Sequence, residues 1–172
     1  MIERSKRRIA SGRIAVTAQR LLEASPLCAI ATVTPSAGAY VSTAYFASTP
    51  ELELVWLSEP RAKHSRNIRA NPSVAVAVYA SQQHWGEPDR GVQLFGPARE
   101  LDAAGTRDAE AVYAARFAEY DREQMSGYRF YELRPRRLKV FDETELGTGV
   151  FVTARLAAGG RLTWERTEIY RL

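Results

Sequence analysis

Three short apolar runs separated by turn-forming residues constrain this chain most. LCAIATVT (27–34) is followed by Pro35-Ser36-Ala37-Gly38, and AYVSTAYFA (39–47) by Ser48-Thr49-Pro50-Glu51. LELVWLS (52–58) alternates before closing into a continuous apolar stretch. Connections this short join antiparallel neighbours, so the runs read as a β-meander. Ser73–Tyr79 and Gly91–Leu101 are further strands, separated by a long loop over Ser81–Arg90 that is rich in breakers. Tyr128–Leu133 and Leu138–Phe141 flank Arg134-Pro135-Arg136, and Val150–Leu156 and Leu162–Tyr170 suit a terminal hairpin turning at Gly159-Gly160.

Helical spacing appears in three places. Ser11 caps a helix running to about Ala24, with Ile14, Ala18, Leu21 and Leu22 on one stripe and Pro26 as the stop. A second helix spans Glu59 to Ala70, with Ser58 as N-cap, Pro60 in the first turn and Asn71-Pro72 as the end. A third spans Asp108 to Phe117. The sum is a mainly β chain with short helices (α+β), an antiparallel barrel of about six to eight strands. It reads as a single domain over 1–172, with a basic N-terminal arm (1–12) and a C-terminal extension (146–172). The N-terminal basic cluster, Arg4, Lys6, Arg7, Arg8 and Arg13, reads as a solvated tail or helix lead-in.

The remaining composition narrows the chemistry. No apolar stretch is long enough to span a bilayer, and no apolar run backs the N-terminal basic residues as a secretory signal requires. One cysteine, Cys28, permits neither an intrachain disulfide nor a thiolate metal cluster, which suits a reducing cytoplasm. Lys and Arg total 24 against 20 acidic residues, a net charge of +4. Both signs are spread along the chain and no nucleic-acid motif accompanies them, so neither nucleic acid nor a membrane is the expected partner. No G-x-G-x-x-G, Walker A loop, H-E-x-x-H or G-x-S-x-G elbow occurs, and the only histidines are His64 and His84. Any redox chemistry therefore falls to a bound organic cofactor.

The informative stretch is VWLSEPRAKHSRNIRANPSVAV. A strand delivers the chain into a helix start, where free N–H groups and the helix dipole attract anions. Arg61, Lys63, His64, Arg66 and Arg69 add five basic positions in nine residues with no acid among them. That pattern suits a phosphomonoester. Nearby strands carry π faces (Tyr40, Tyr45, Phe46, Trp56 and, in the loop, Trp85) and hydrogen-bonding groups (Ser42, Thr43, Gln93), although aromatics on barrel strands most often belong to the core.

In order and spacing, CAIATVTPSAGAYVSTAYF, ELVWLSEPRAKHSRNIRANPSVAVAV and RGVQLFGPARELD resemble the pyridoxamine 5′-phosphate oxidase-like proteins, over roughly residues 20 to 142. The resemblance implies an FMN-binding split barrel, a homodimer with the cofactor at the subunit interface, and an oxidoreductase acting on a small substrate. Ser42, Thr43 and Ala44 would then run beside the flavin, and Trp56, Leu57 and Ser58 along the ring and ribityl chain. Arg61, Lys63 and His64 would hold the phosphate, His64 standing where the family has a lysine, and Gln93 would meet the ring edge. Ser42 replaces an arginine of the true oxidase, and the oxidase's C-terminal tryptophan and arginine pattern is not recognisable around Trp164 and Arg171. These departures point away from pyridoxamine phosphate as substrate. A deazaflavin coenzyme, or non-catalytic binding of flavin or haem with His64 or His84 as axial ligand, are the other readings of the same barrel.

Overall fold

The computed structural model describes residues 1–80 and 82–171; Ser81, at the start of the expected breaker-rich loop, and Leu172 lie outside the described residues. Ten strands form one antiparallel sheet in the order β1-β10-β9-β8-β6-β5-β2-β3-β4-β7. They are β1 (Ile2–Ser5), β2 (Leu27–Val33), β3 (Ala39–Ser48), β4 (Leu54–Ser58), β5 (Ser73–Tyr79), β6 (Arg90–Glu100), β7 (Arg129–Leu133), β8 (Arg137–Asp142), β9 (Val150–Leu156) and β10 (Leu162–Tyr170). Among the described residues four α-helices interrupt them: α1 (Ser11–Ala24), α2 (Lys63–Ala70), α3 (Ala103–Arg116) and α4 (Glu143–Leu146).

A second pairing, β6 with β7, closes six strands into a barrel: β2, β3, β4, β7, β6 and β5. Two long strands make this possible by changing partner along their length. The first part of β6, Arg90–Phe95, pairs with β8, and Ala98–Glu100 pairs with β7. The change falls at Gly96-Pro97. A Cβ on Gly96 would run into the carbonyl of Arg134, so the close approach requires glycine. Likewise β3 pairs with β2 over Ala39–Tyr45 and with β4 over Phe46–Ser48.

Alternation along the strands decides what fills the barrel. Val74, Val76 and Val78 of β5 point inward beside Ile30, Leu94, Trp56 and Tyr131, all buried. Ile14, Ala18, Leu21 and Leu22 of α1 join the same cluster, as the stripe predicts. A second cluster, with Ala47, Val55, Tyr113 and Phe130, lies under α3. Arg116, at the end of α3, donates to the carbonyls of Leu22 (3.0 Å), Glu23 (3.2 Å) and Ser25 (2.7 Å). Its guanidinium lies 4.7 Å from the Phe46 ring centroid, tying α3 to the end of α1 and satisfying carbonyls that α1 leaves open.

The ends of the chain differ from expectation. The N-terminal arm is neither a loose tail nor only a lead-in, because Ile2–Ser5 form β1 and pair with Tyr170–Thr167 of β10. Strands β8, β9, β10 and β1 thus extend the sheet beyond the barrel, and the C-terminal hairpin turns at Gly159 and Gly160, both at positive φ. The third helix starts earlier than its periodicity suggests, because Asp102 caps it by accepting from the Gly105 N–H at 2.9 Å. The first helix begins at Ser11 itself, with Ala10 as the cap residue.

Candidate functional site

Strand β4 ends on Ser58, which is buried. The helix expected from Glu59 does not start there. The Glu59 carboxylate accepts from the Arg61 N–H at 2.8 Å and its carbonyl from the Ala62 N–H at 3.0 Å, closing a turn around Pro60. Helix α2 begins at Lys63, with Ala62 as N-cap and no side chain capping it. Ser58 is therefore not the cap, and its hydroxyl meets other partners.

Those partners form a chain. The Ser65 hydroxyl donates to the Glu59 carbonyl at 2.9 Å, which leaves Ser65 Oγ to accept from Ser58 at 2.9 Å. Ser58 Oγ also hydrogen-bonds Nε2 of His64 at 2.7 Å, the imidazole tautomer setting which of the two donates. His64 is half-buried, and desolvation holds its pKa below the ordinary histidine value near 6.5. Ile68, one turn on, anchors α2 in the core, and Asn67 donates to Thr32 of β2 at 3.0 Å.

Around this cluster the charge is unbalanced. Arg61, Lys63 and Arg66 are exposed, and none pairs with a carboxylate among the described residues. Arg69, the last cation of the run, pairs with Glu100 at 2.8 Å and also donates to Pro60. Arg129 of β7, which no sequence pattern singles out, stands directly opposite Ser58 in the β4–β7 ladder. Among the described residues its guanidinium meets only the carbonyls of Tyr128 (2.8 Å) and Ser126 (3.2 Å).

The split in β3 adds backbone groups. Over Ala39–Tyr45 its only ladder partner among the described residues is β2, so its other edge offers N–H and C=O groups along a seam. Ser42 and Ala44 face the barrel side of this seam and Thr43 faces out. Ser42 Oγ is buried without a hydrogen-bond partner. An orphaned hydroxyl on the open edge of β3 and a helix start whose cations pair with no carboxylate among the described residues are groups a phosphomonoester cofactor can use, so the residues present fit one.

The remaining expected residues lie elsewhere. Trp56 is wholly buried and stacks on Tyr131 (centroids 6.0 Å apart, 18° between planes), so its ring offers no face to a ligand. Phe46 is likewise core, whereas Tyr45 and Trp85 are exposed. Leu57 is half-buried on the opposite side of β4 from Ser58. Gln93 faces outward on β6, in a cross-strand row Thr43–Ala29–Ala77–Gln93. At the usual strand spacing this puts it about 14 Å from Thr43. Ala29, Ala31, Val41, Ala75, Ala77 and Phe95 form a shallow trough of about 260 Å³ around that row, with Val41 61% exposed. His84 sits on an exposed loop, 3.6 Å from Glu87.

A closed six-stranded antiparallel barrel whose third strand is split beside a cationic helix start defines a split-barrel protein. The pyridoxamine 5′-phosphate oxidase profile matches residues 15–142, and the chain belongs to that family. Solved structures with the same fold include the Atu2129 protein of unknown function from Agrobacterium tumefaciens (TM-score 0.67, 20% identity, 79% of this chain and 59% of that one). A heme binding protein from Mycobacterium smegmatis superposes at TM-score 0.61 with 18% identity, over 93% of this chain and 59% of its own. HutZ, the heme storage protein from Vibrio cholerae, superposes at 0.59 with 20% identity, over 67% of this chain and 85% of its own. These identities speak to the fold. A comparison with curated proteins finds no match. No helix among the described residues is long and apolar enough to cross a membrane.

Proposed function

We propose that this protein binds FMN by its phosphate at the start of α2 and works in the cytoplasm as a flavin-dependent oxidoreductase on a small substrate. The observation that carries the reading is the cradle itself: Arg61 and Lys63 without carboxylate partners among the described residues, the His64–Ser58–Ser65 hydrogen-bond chain, and the orphaned Ser42 hydroxyl. When bound, FMN supplies the electron-transfer chemistry that no side chain here provides. The protein's own part is to neutralise the phosphate, to lay the ring along the open edge of β3 at Ser42, Thr43 and Ala44, and to bound it with the end of β4.

In this reading Gln93 reaches the cofactor only from a second copy. An exposed sheet face of small apolar residues suits burial against its own image. A two-fold axis lying in that interface, along and between β2 and β5, seats the second copy's Gln93 over Thr43, because the two residues end the same cross-strand row. The homodimer is thus part of the proposal, and it completes the site.

The deciding measurement is the visible spectrum of the purified protein before and after addition of FMN and desalting. Retained flavin bands in the blue and near-ultraviolet are expected. A colourless protein would remove FMN, and a preference for a deazaflavin by tenfold or more, about 1.4 kcal/mol, would transfer the site to that coenzyme.

The fold neighbours favour haem as the second reading, since two of them are heme proteins. Against it, His64 Nε2 is already engaged at 2.7 Å by Ser58, leaving the exposed His84 as the freer ligand. A Soret band that survives removal of both histidines would discard histidine ligation.

His64 adds a pH dependence whose sign follows from its environment. Burial favours neutral imidazole in the cofactor-free fold, so the unfolded chain binds the proton more readily, and cofactor-free stability falls as pH drops through 6.5. A bound phosphate favours the protonated ring instead. FMN affinity is therefore expected to rise about fivefold between pH 8 and pH 6.5, while riboflavin affinity stays flat. His64→Gln should abolish the FMN slope in fluorescence titrations. A slope that persists in the variant would place the titrating group elsewhere.

A further inference from the structure

The segment joining α3 to β7 lies over a cavity of about 370 Å³ beside β4. That volume falls within the range of small-molecule sites, roughly 300–1,000 Å³. Leu57, Leu101, Met125 and Phe130 supply apolar walls. Three charged side chains line it: Asp102, Arg122 and Arg129. Two of them are committed elsewhere. Asp102 caps α3 through the Gly105 N–H at 2.9 Å. Arg122 forks onto the Glu110 carboxylate, with Nε at 2.7 Å and a second, shorter contact from Nη2.

Arg129 differs. It donates to two backbone carbonyls and pairs with no carboxylate among the described residues. The cavity therefore combines apolar walls with one uncompensated guanidinium, and the hydroxyl-bearing Thr106 and Ser126 also line it. Its position is as informative as its chemistry. Leu57 immediately precedes Ser58 on β4, and Arg129 is the ladder partner of Ser58, so the cavity lies at the same end of β4 as the cradle, across the strand from it. The larger cavity between α1 and α3, about 410 Å³, lacks this feature, because its one cation, Arg116, already serves three carbonyls.

We propose that this cavity is the substrate site and takes a small organic carboxylate with an aromatic or branched apolar body. The carboxylate lies on Arg129, whose planar guanidinium matches it in a fork, and the body packs on Leu57, Met125 and Phe130. The assignment as a substrate site rests on the flavin reading above. The binding itself does not, and it can be measured on the cofactor-free chain.

The probe is benzoate. Calorimetric titration of the cofactor-free protein is expected to show binding that weakens at least tenfold in Arg129→Gln and by a smaller factor in Arg129→Lys, which keeps the charge but loses the fork. In the FMN-loaded protein, benzoate should perturb the flavin spectrum, and Arg129→Gln should abolish the perturbation. Equal binding to the native chain and Arg129→Gln, or no binding to either, overturns the proposal. Arg129-dependent benzoate binding in a protein that rejects FMN would uphold the anion pocket and sink the cofactor reading instead. Retained FMN binding with no benzoate effect would do the reverse.

Discussion

Replacing Trp56 by alanine is expected to lower the unfolding free energy by about 3–5 kcal/mol, the range for deleting a large aromatic from a closed core. Trp56 is 0% exposed at the centre of β4 and stacks on Tyr131, with Phe46 opposite it on β3. The barrel closes around this layer, so neighbouring strands cannot collapse into the space without breaking ladder hydrogen bonds. At roughly 2–4 °C per kcal/mol for a chain of this size, the melting midpoint should fall by roughly 6–20 °C. Urea titration followed by far-ultraviolet circular dichroism measures it directly. A loss below 1 kcal/mol would mean that the layer is not the centre of the barrel. The same substitution should barely alter the phosphate selectivity of whatever protein remains folded, because the indole faces the core.

Removing both Arg61 and Lys63, as alanines, is expected to weaken FMN binding about 100-fold while leaving riboflavin binding within twofold. Each charge-assisted contact to phosphate contributes about 1.5–3 kcal/mol, and two lost together approach the larger figure only if both touch the same group. Both side chains are exposed and make no ion pair among the described residues, so the double variant should fold normally. The riboflavin control separates the phosphate from the ring. An equal loss for both ligands would show general damage to the site, and no loss for either would move the phosphate elsewhere. Screening by salt acts on the same contacts, so the FMN affinity of the native protein should also decline between low and high ionic strength.

Much of the architecture was legible because it is written locally. Turn residues at 35–38 and 48–51 separate apolar runs, and the structure builds β2, β3 and β4 there in antiparallel order. The stripe of Ile14, Ala18, Leu21 and Leu22 is the buried face of α1. What failed was decided by competition or by distance. Glu59 captures two nearby N–H groups and delays α2 to Lys63, an outcome that depends on side-chain geometry rather than propensity. Strand β1 is four residues long, and its partner lies more than 160 residues away in β10, so no local pattern announces it.

The candidate site divides along the same line. The cationic run from Arg61 to Arg69 was legible, since charge density along a short segment is a local property. Arg129 was not, because its place opposite Ser58 exists only once β4 and β7 pair. The sequence by itself determined the strands, their alternation, the cationic run and the family to which the chain belongs. Tertiary structure decided which side of each strand became interior: it put Trp56 in the core, turned Gln93 to the outer face about 14 Å from Thr43, and left the edge of β3 open. A period of two assigns residues to alternate faces of a strand but does not say which face the closing barrel encloses, and only long-range pairing between strands resolves that choice.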